Sequence, residues 1–231
     1  MSRIILVPTS HIARESLERV KAAVEKEKPD CIAVELDMHR YRAMKIEQSV
    51  SGWEMLRQLG PSTWLVYALF RRIQKSLGKS MNILPGAEMM SAVRIAARKH
   101  IKVAFIDQDI RMTFLNIRDV STLEKLRLVW FVIKGLAVGW IYQKIKRKPV
   151  LDLSKVPHEK LIEQAMTYLR KNFPNIYRAL VSERDQYMVN NLKVLSGEFK
   201  TIVAVIGAGH KKGMEKLLST RPRKRRSPQA R

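Results

Sequence analysis

Two histidines in this chain each follow a short apolar run: His11 comes after Pro8-Thr9-Ser10, and His210 after Gly207-Ala208-Gly209. Two further apolar runs end in carboxylates, one in Glu35-Leu36-Asp37 and the other in Asp107-Gln108-Asp109. Imidazole together with carboxylate is a ligand set for a divalent transition metal such as zinc, manganese or iron, and it also suits general acid and base catalysis. Each residue taken singly has a plainer use. A histidine can cap a strand end through the backbone, and a carboxylate can pair with an arginine or a helix N-terminus. A glycine-rich turn entering a helix, as at 207–210, is also a common way to hold phosphate. The coincidence of all four polar endings in one chain favours a shared site.

The runs that carry these residues are 3–7, 31–35, 103–106 and 201–206, each nearly continuous in branched apolar side chains, as strands covered on both faces should be. Between the first two, residues 14–28 place Leu17, Val20 and Val24 on one helical stripe, with Pro29 just beyond, which reads as a βαβ unit. A helix over 88–99 feeds the third run, and a long one over 174–195 precedes the break at Gly197 and the fourth. The expected fold class is therefore α/β, with a mostly parallel central sheet flanked by helices. In such folds functional groups gather at the carboxyl edge of the strands.

Two stretches stand outside this alternation: 53–77 and 122–145 are helical by composition, rich in Trp and Leu and studded with Arg and Lys. They are read as helical insertions over about 51–80 and about 121–148 of a single α/β domain, 1–218, which a basic tail, 219–231, follows. Residues 128–133 are apolar without interruption, so that helix needs more cover than a surface helix does. The rest of the domain or a second copy is the expected cover, because a helix lying on lipid normally keeps a clean polar face. The longest apolar stretch, 128–142, has 15 residues with Lys134 inside it, short of the ~20 that a spanning helix needs.

Arg40 and Arg184 lie close in sequence to these carboxylates and to a further acidic pair, and an arginine so placed normally holds carboxylates together. Within Glu183-Arg184-Asp185 one helical turn cannot aim every side chain inward. Arg184 is the expected inward member, because Leu180, Tyr187 and Met188 share its side by three- and four-residue spacing.

The ordered series Thr9-Ser10-His11 with Glu15-Ser16, Val34-Glu35-Leu36-Asp37 with Arg40, Glu88 before Asp107, Asp109 with Thr113, Glu183-Arg184-Asp185 with Met188, and Gly207-Ala208-Gly209-His210 with Gly213 resembles the TraB domain family. That family includes bacterial pheromone-shutdown proteins and is distantly similar to the Tiki proteases, and the resemblance spans about residues 3–218. It implies a paired pattern of glycine, two variable residues and histidine, with a Glu and an Arg, proposed in the Tiki relatives to bind a divalent metal for peptide cleavage. Carried over residue by residue, it singles out His11, Glu35, Arg40, Glu88, Arg184 and His210. The ligands of a manganese, cobalt or zinc ion would then be His11, Glu35 and His210, with Glu88 or Asp107 as base or additional ligand. Two positions depart from the pattern: Pro8 stands where the first glycine is expected, and Gln108 where relatives commonly have Arg. Those departures keep open a protein that captures a peptide or small ligand without cutting it.

The remaining features bound partners and setting. Lys and Arg number 44 against 21 Asp and Glu, a net charge of +23, enough for a strong positive field. Residues 211–231 hold nine basic side chains and one acidic, and residues 111–150 nine and two. Nonspecific contact with polyanions or an anionic membrane is expected through the tail and basic helices. Specific nucleic-acid binding is not, since no recognition motif is present and the aromatics sit in apolar helices. The apolar helix around Trp130 and Trp140 suggests a homodimer. The single cysteine, Cys31, falls in an apolar run, and the apolar stretch at 4–7 is too short for a signal peptide, so a cytoplasmic setting, at most peripheral to a membrane, is expected.

Overall fold

A computed structural model describes residues 2–9, 14–46, 52–81, 86–146 and 159–220. Four strands form one sheet: β1 (Arg3–Thr9), β2 (Cys31–Val34), β3 (Lys102–Phe105) and β4 (Thr201–Gly207). All pairings are parallel, in the order β1-β4-β2-β3. The last of the described strands is inserted between the first two, so the expected βαβ unit is a crossover that skips one position. The helix making that crossover is α1 (Arg14–Glu27).

The sheet buries both faces, as its composition requires. Ile32, Val34, Val203 and Val205 turn to one side and pack with Val20 and Val24 of α1 and with Met89, Ala92 and Ala96 of α5 (Ala87–Arg98). Cys31, Ala33, Ile202, Ala204 and Ile206 turn to the other, against Met188, Val189 and Leu192 of α10 (Glu183–Leu195) and Met214 of α11 (Lys211–Ser219). This two-residue alternation within unbroken apolar runs is what a doubly covered strand imposes. Pro8 belongs to β1, which is an edge strand, and an edge tolerates its missing N–H.

The remaining helices build a second layer of core. Helix α2 (Met38–Ile46) follows β2, and α3 (Gly52–Leu59) and α4 (Pro61–Met81) turn about Gly60, whose φ is +74°. After β3 come α6 (Ile110–Arg118), α7 (Thr122–Lys146) and α8 (Glu159–Asn172). Val66 of α4, Leu128 and Val129 of α7, Phe173 and Ile176 close one apolar cluster, while Leu59, Phe114, Ile117 and Ala179 close another. The expected long helix before β4 runs as α9 (Pro174–Tyr177), a π turn (Arg178–Ser182) and then α10. No helix among the described residues is long and apolar enough to cross a membrane. The tail beyond 220 lies outside the described residues.

Candidate functional site

Parallel pairing aligns the strand ends, and the loops beyond them continue the alignment. Thr9 pairs with Gly207, the Glu35 N–H donates to the Val205 carbonyl at 2.9 Å, and the Ile106 N–H donates to the Val34 carbonyl at 3.1 Å. Glu35, Asp107 and His210 are thereby delivered to one edge, all buried.

Arg184 joins them from α10. Its Nη2 donates to Glu35 Oε1 at 2.6 Å and to Asp107 Oδ2 at 2.7 Å, and its Nε donates to Asp107 Oδ1 at 3.0 Å. The pairing with Asp107 is bidentate, the geometry that a planar guanidinium favours. A weaker contact runs from Nη1 to the Leu180 carbonyl inside the π turn, at 3.4 Å. Burial by itself would lower the Arg184 pKa, but Glu35 and Asp107 outweigh it and hold the group firmly protonated. Arg40 stands at the rim, its Nη1 3.7 Å from Asp107 Oδ2.

His210 is clamped on both ring nitrogens. Nδ1 lies 2.6 Å from Asp185 Oδ1, and Nε2 lies 3.3 Å from Glu35 Oε1. Burial favours the neutral ring, yet Glu35 and Asp185 prevail over it and over the repulsion from Arg184, pushing the pKa up to about 9. The charged ring therefore points one N–H at each carboxylate, Nδ1–H at Asp185 and Nε2–H at Glu35. The other oxygen of Glu35 accepts from the Gly207 N–H at 2.6 Å, so the backbone of β4 fixes the carboxylate that faces its own histidine.

Asp185 escaped sequence reasoning, which chose Arg184 alone from its triplet. All three members are used: Arg184 and Asp185 as described, and Glu183 by accepting from Asn116 Nδ2 of α6 at 2.7 Å. Tyr187, expected beside Arg184, is exposed instead, because the buried face of α10 centres on Asp185, Met188, Val189 and Leu192 and leaves Arg184 at its margin. With about 100° between successive helical residues, that margin lets Arg184 reach the β2 and β3 ends while Asp185 turns to His210. One signal was available. Gly213 sits in the first turn after His210, and a Cβ there would overlap the Asp185 carboxylate.

Further residues lie around this centre. Asp37 accepts the Arg40 N–H at 2.9 Å, and its Oδ2 is buried with no hydrogen-bond partner among the described residues. Burial pushes its pKa up, and Asp109 and Asp107 add to the rise. Glu88 is buried in the first turn of α5, on the sheet face opposite α10. Gln108 ties its loop to α6 through Nε2, which donates to Thr113 Oγ1 at 2.8 Å. A cavity of about 260 Å³ opens beside Asp109, lined also by Leu59, Arg111, Met112 and Leu115. His11 lies outside the described residues. Among those described, no group of three or more His, Cys, Asp or Glu side chains is placed to hold a metal.

A model of the TraB/PrgY/gumN family matches residues 1–221. An uncharacterised protein of Methanocaldococcus jannaschii is 32 % identical over 218 residues, covering 93 % of this chain and 53 % of that protein. A human TraB domain-containing protein is 26 % identical over 247 residues, covering 95 % of this chain and 63 % of its own length, and its mouse counterpart is equally similar. The chain thus spans between half and two thirds of these curated relatives. Both the match and the ordered motifs around Glu35, Asp107, Arg184 and His210 lead to one assignment: this chain belongs to the TraB/PrgY/gumN family.

Proposed function

We propose that the carboxyl edge of the sheet is a hydrolytic centre assisted by a divalent cation and acting on peptides. The observation that carries this reading is the buried chain Asp185–His210–Glu35. A carboxylate on Nδ1 is how a ligating imidazole is commonly oriented, and it turns Nε2 toward Glu35. Imidazole and carboxylate are donor types that a divalent cation accepts, and the buried Oδ2 of Asp37 is an oxygen without a hydrogen-bond partner among the described residues. In this reading His210 and Glu35 would hold the cation, with His11 as the third ligand that the family resemblance implies. When bound, the ion supplies a water of lowered pKa and polarises the scissile carbonyl.

The chain's own groups do the rest. A cation held at His210 would take the place of the Nε2 proton directed at Glu35, so loading would release a proton and weaken as pH falls. Asp185 keeps the Nδ1 proton and with it the tautomer. Arg184 positions Glu35 and Asp107, which makes Asp107 a holder of the guanidinium, and Glu88 remains the candidate base. The cavity beside Asp109 offers Leu59, Met112 and Leu115 to an apolar side chain of the substrate.

The test uses untagged protein purified without chelator, with metal measured by mass spectrometry and cleavage read on a peptide mixture. Glu35→Gln and His210→Asn should each lower turnover by on the order of 100-fold, and Asp185→Asn by roughly 10- to 100-fold. A protein that neither retains manganese, cobalt or zinc nor is stabilised by adding them loses this reading. A second reading, capture without cleavage, is favoured by the complete internal engagement of Glu35 and Asp107. It predicts that a peptide is retained by wild type, released by His210→Ala, and recovered uncut at every protein concentration.

A further inference from the structure

Helix α7 is apolar on two opposite sides, and the described residues cover only one of them. Leu128, Val129 and Val132 pack against Val66, Phe173 and Ile176. On the same inner side, Lys125 is buried and donates to the Arg118 carbonyl at 2.8 Å, capping the end of α6. Glu124 fixes the helix further, accepting from the N–H groups of Asn175 and Ile176 at 3.0 and 3.1 Å. The opposite side carries Leu123, Leu126, Trp130 and Ile133, with Phe131 on its flank. Trp130 is 63 % and Leu123 59 % exposed. Phe131 stacks on Tyr168 of α8, itself exposed, with ring centres 5.0 Å apart, which widens the apolar strip.

This settles why the sequence shows no clean polar face on α7: the inner side is core, so only the outer side needs to be judged against solvent. By helical spacing Arg127 and Lys134 fall within the outer strip beside Trp130, and both are exposed. From residue 125 to 146 the helix holds no Asp or Glu at all. An aromatic and aliphatic face interleaved with cations, free of carboxylates, is the pattern that sinks to headgroup depth in an anionic leaflet.

We infer that the outer face of α7, centred on Trp130 and Ile133 and flanked by Arg127 and Lys134, is a docking surface for an anionic phospholipid bilayer, on which the helix lies without crossing. A second copy of this chain is the poorer occupant. A twofold contact would set the same basic strip against itself, with no acidic residue in the strip to balance it. The net charge of +23 adds long-range attraction to the same kind of surface. This inference does not rest on the hydrolytic reading.

The experiment is flotation of the full chain with vesicles of phosphatidylcholine alone or mixed with phosphatidylglycerol, with tryptophan emission recorded in parallel. Binding is expected only with phosphatidylglycerol, with a blue shift. Trp130→Ser with Ile133→Ser should remove the shift and most of the binding. Arg127→Gln with Lys134→Gln should weaken partition roughly 30-fold. All these positions are exposed, and circular dichroism checks folding. A third variant, Arg223→Gln, Lys224→Gln, Arg225→Gln and Arg226→Gln, separates the tail's contribution. The inference is overturned if only the tail variant loses binding while both α7 variants keep it. It is equally overturned if light scattering shows a dimer that Trp130→Ser with Ile133→Ser dissociates, or if an acidic protein, and not the vesicles, is what the wild type binds.

Discussion

At the scale of single residues the candidate site is a balance of charges taken out of water. Glu35, Asp107 and Asp185 are set against Arg184 and a protonated His210, each buried or nearly so. A pair of this kind adds little over a well-packed apolar alternative, but removing one member leaves an uncompensated buried charge. Arg184→Met should therefore cost about 3–5 kcal/mol of stability in urea unfolding, and adding Glu35→Gln should recover part of the loss. Equal additivity of the two changes would mean that the groups do not interact.

His210 gives a prediction with a definite sign. Its folded pKa is raised, from 6.5 to about 9, so the stability it contributes is fully present below pH ~6.5 and is lost as pH rises through ~9. Metal-free protein held in chelator should lose stability across that window, and His210→Asn should lose much less. A wild type and variant with parallel profiles would show that Glu35 and Asp185 do not stabilise the charged ring.

At the scale of elements, the position of Asp185 depends on how closely α11 approaches α10. Gly213 permits that approach, because the volume a side chain would need belongs to the Asp185 carboxylate. Gly213→Ala must push one of them aside. It should cost about 1–3 kcal/mol and, by proton NMR, return the His210 titration toward the ordinary histidine range. A Gly213→Ala protein with His210 still titrating near 9 would separate the glycine from the site. The π turn acts at the same level. Inserted just before Glu183, it supplies through Leu180 a carbonyl that Arg184 Nη1 can reach.

At the scale of the whole molecule, the sheet's second face depends on α10 and α11, which are the last helix before β4 and the helix after it. Cys31 reports on that face. It is fully buried, and burial pushes the thiol pKa up to about 11, with Glu198 and Asp30 contributing. At pH 8 roughly one molecule in a thousand would carry the thiolate even without steric protection. Labelling by a disulfide reagent should therefore proceed only as fast as the fold opens, and it should speed up in parallel with urea unfolding. Rapid labelling in native buffer would show that this face opens independently.

Several parts of this architecture are legible in the residues. Unbroken apolar runs need cover on both faces, so 3–7, 31–35, 103–106 and 201–206 could be little other than buried parallel strands, and parallel strands share one carboxyl edge. That is enough to bring Glu35, Asp107 and His210 together, and the excess of acid there made a buried Arg184 reasonable. Strand order is a different matter. Nothing local distinguishes β4 beside β1 from β4 at an edge, since every run has similar composition, and only the packing of α10 and α11 against one face decides it. The role of Asp185 was hidden because adjacent helical residues point about 100° apart, and which of them faces inward depends on where the neighbouring strands end. The apolar character of α7 was plain, but its exposure was not. A sequence records how apolar a helix is, while the neighbours around it are set by the fold, and among the described residues α4 and the turn into α9 cover one side alone.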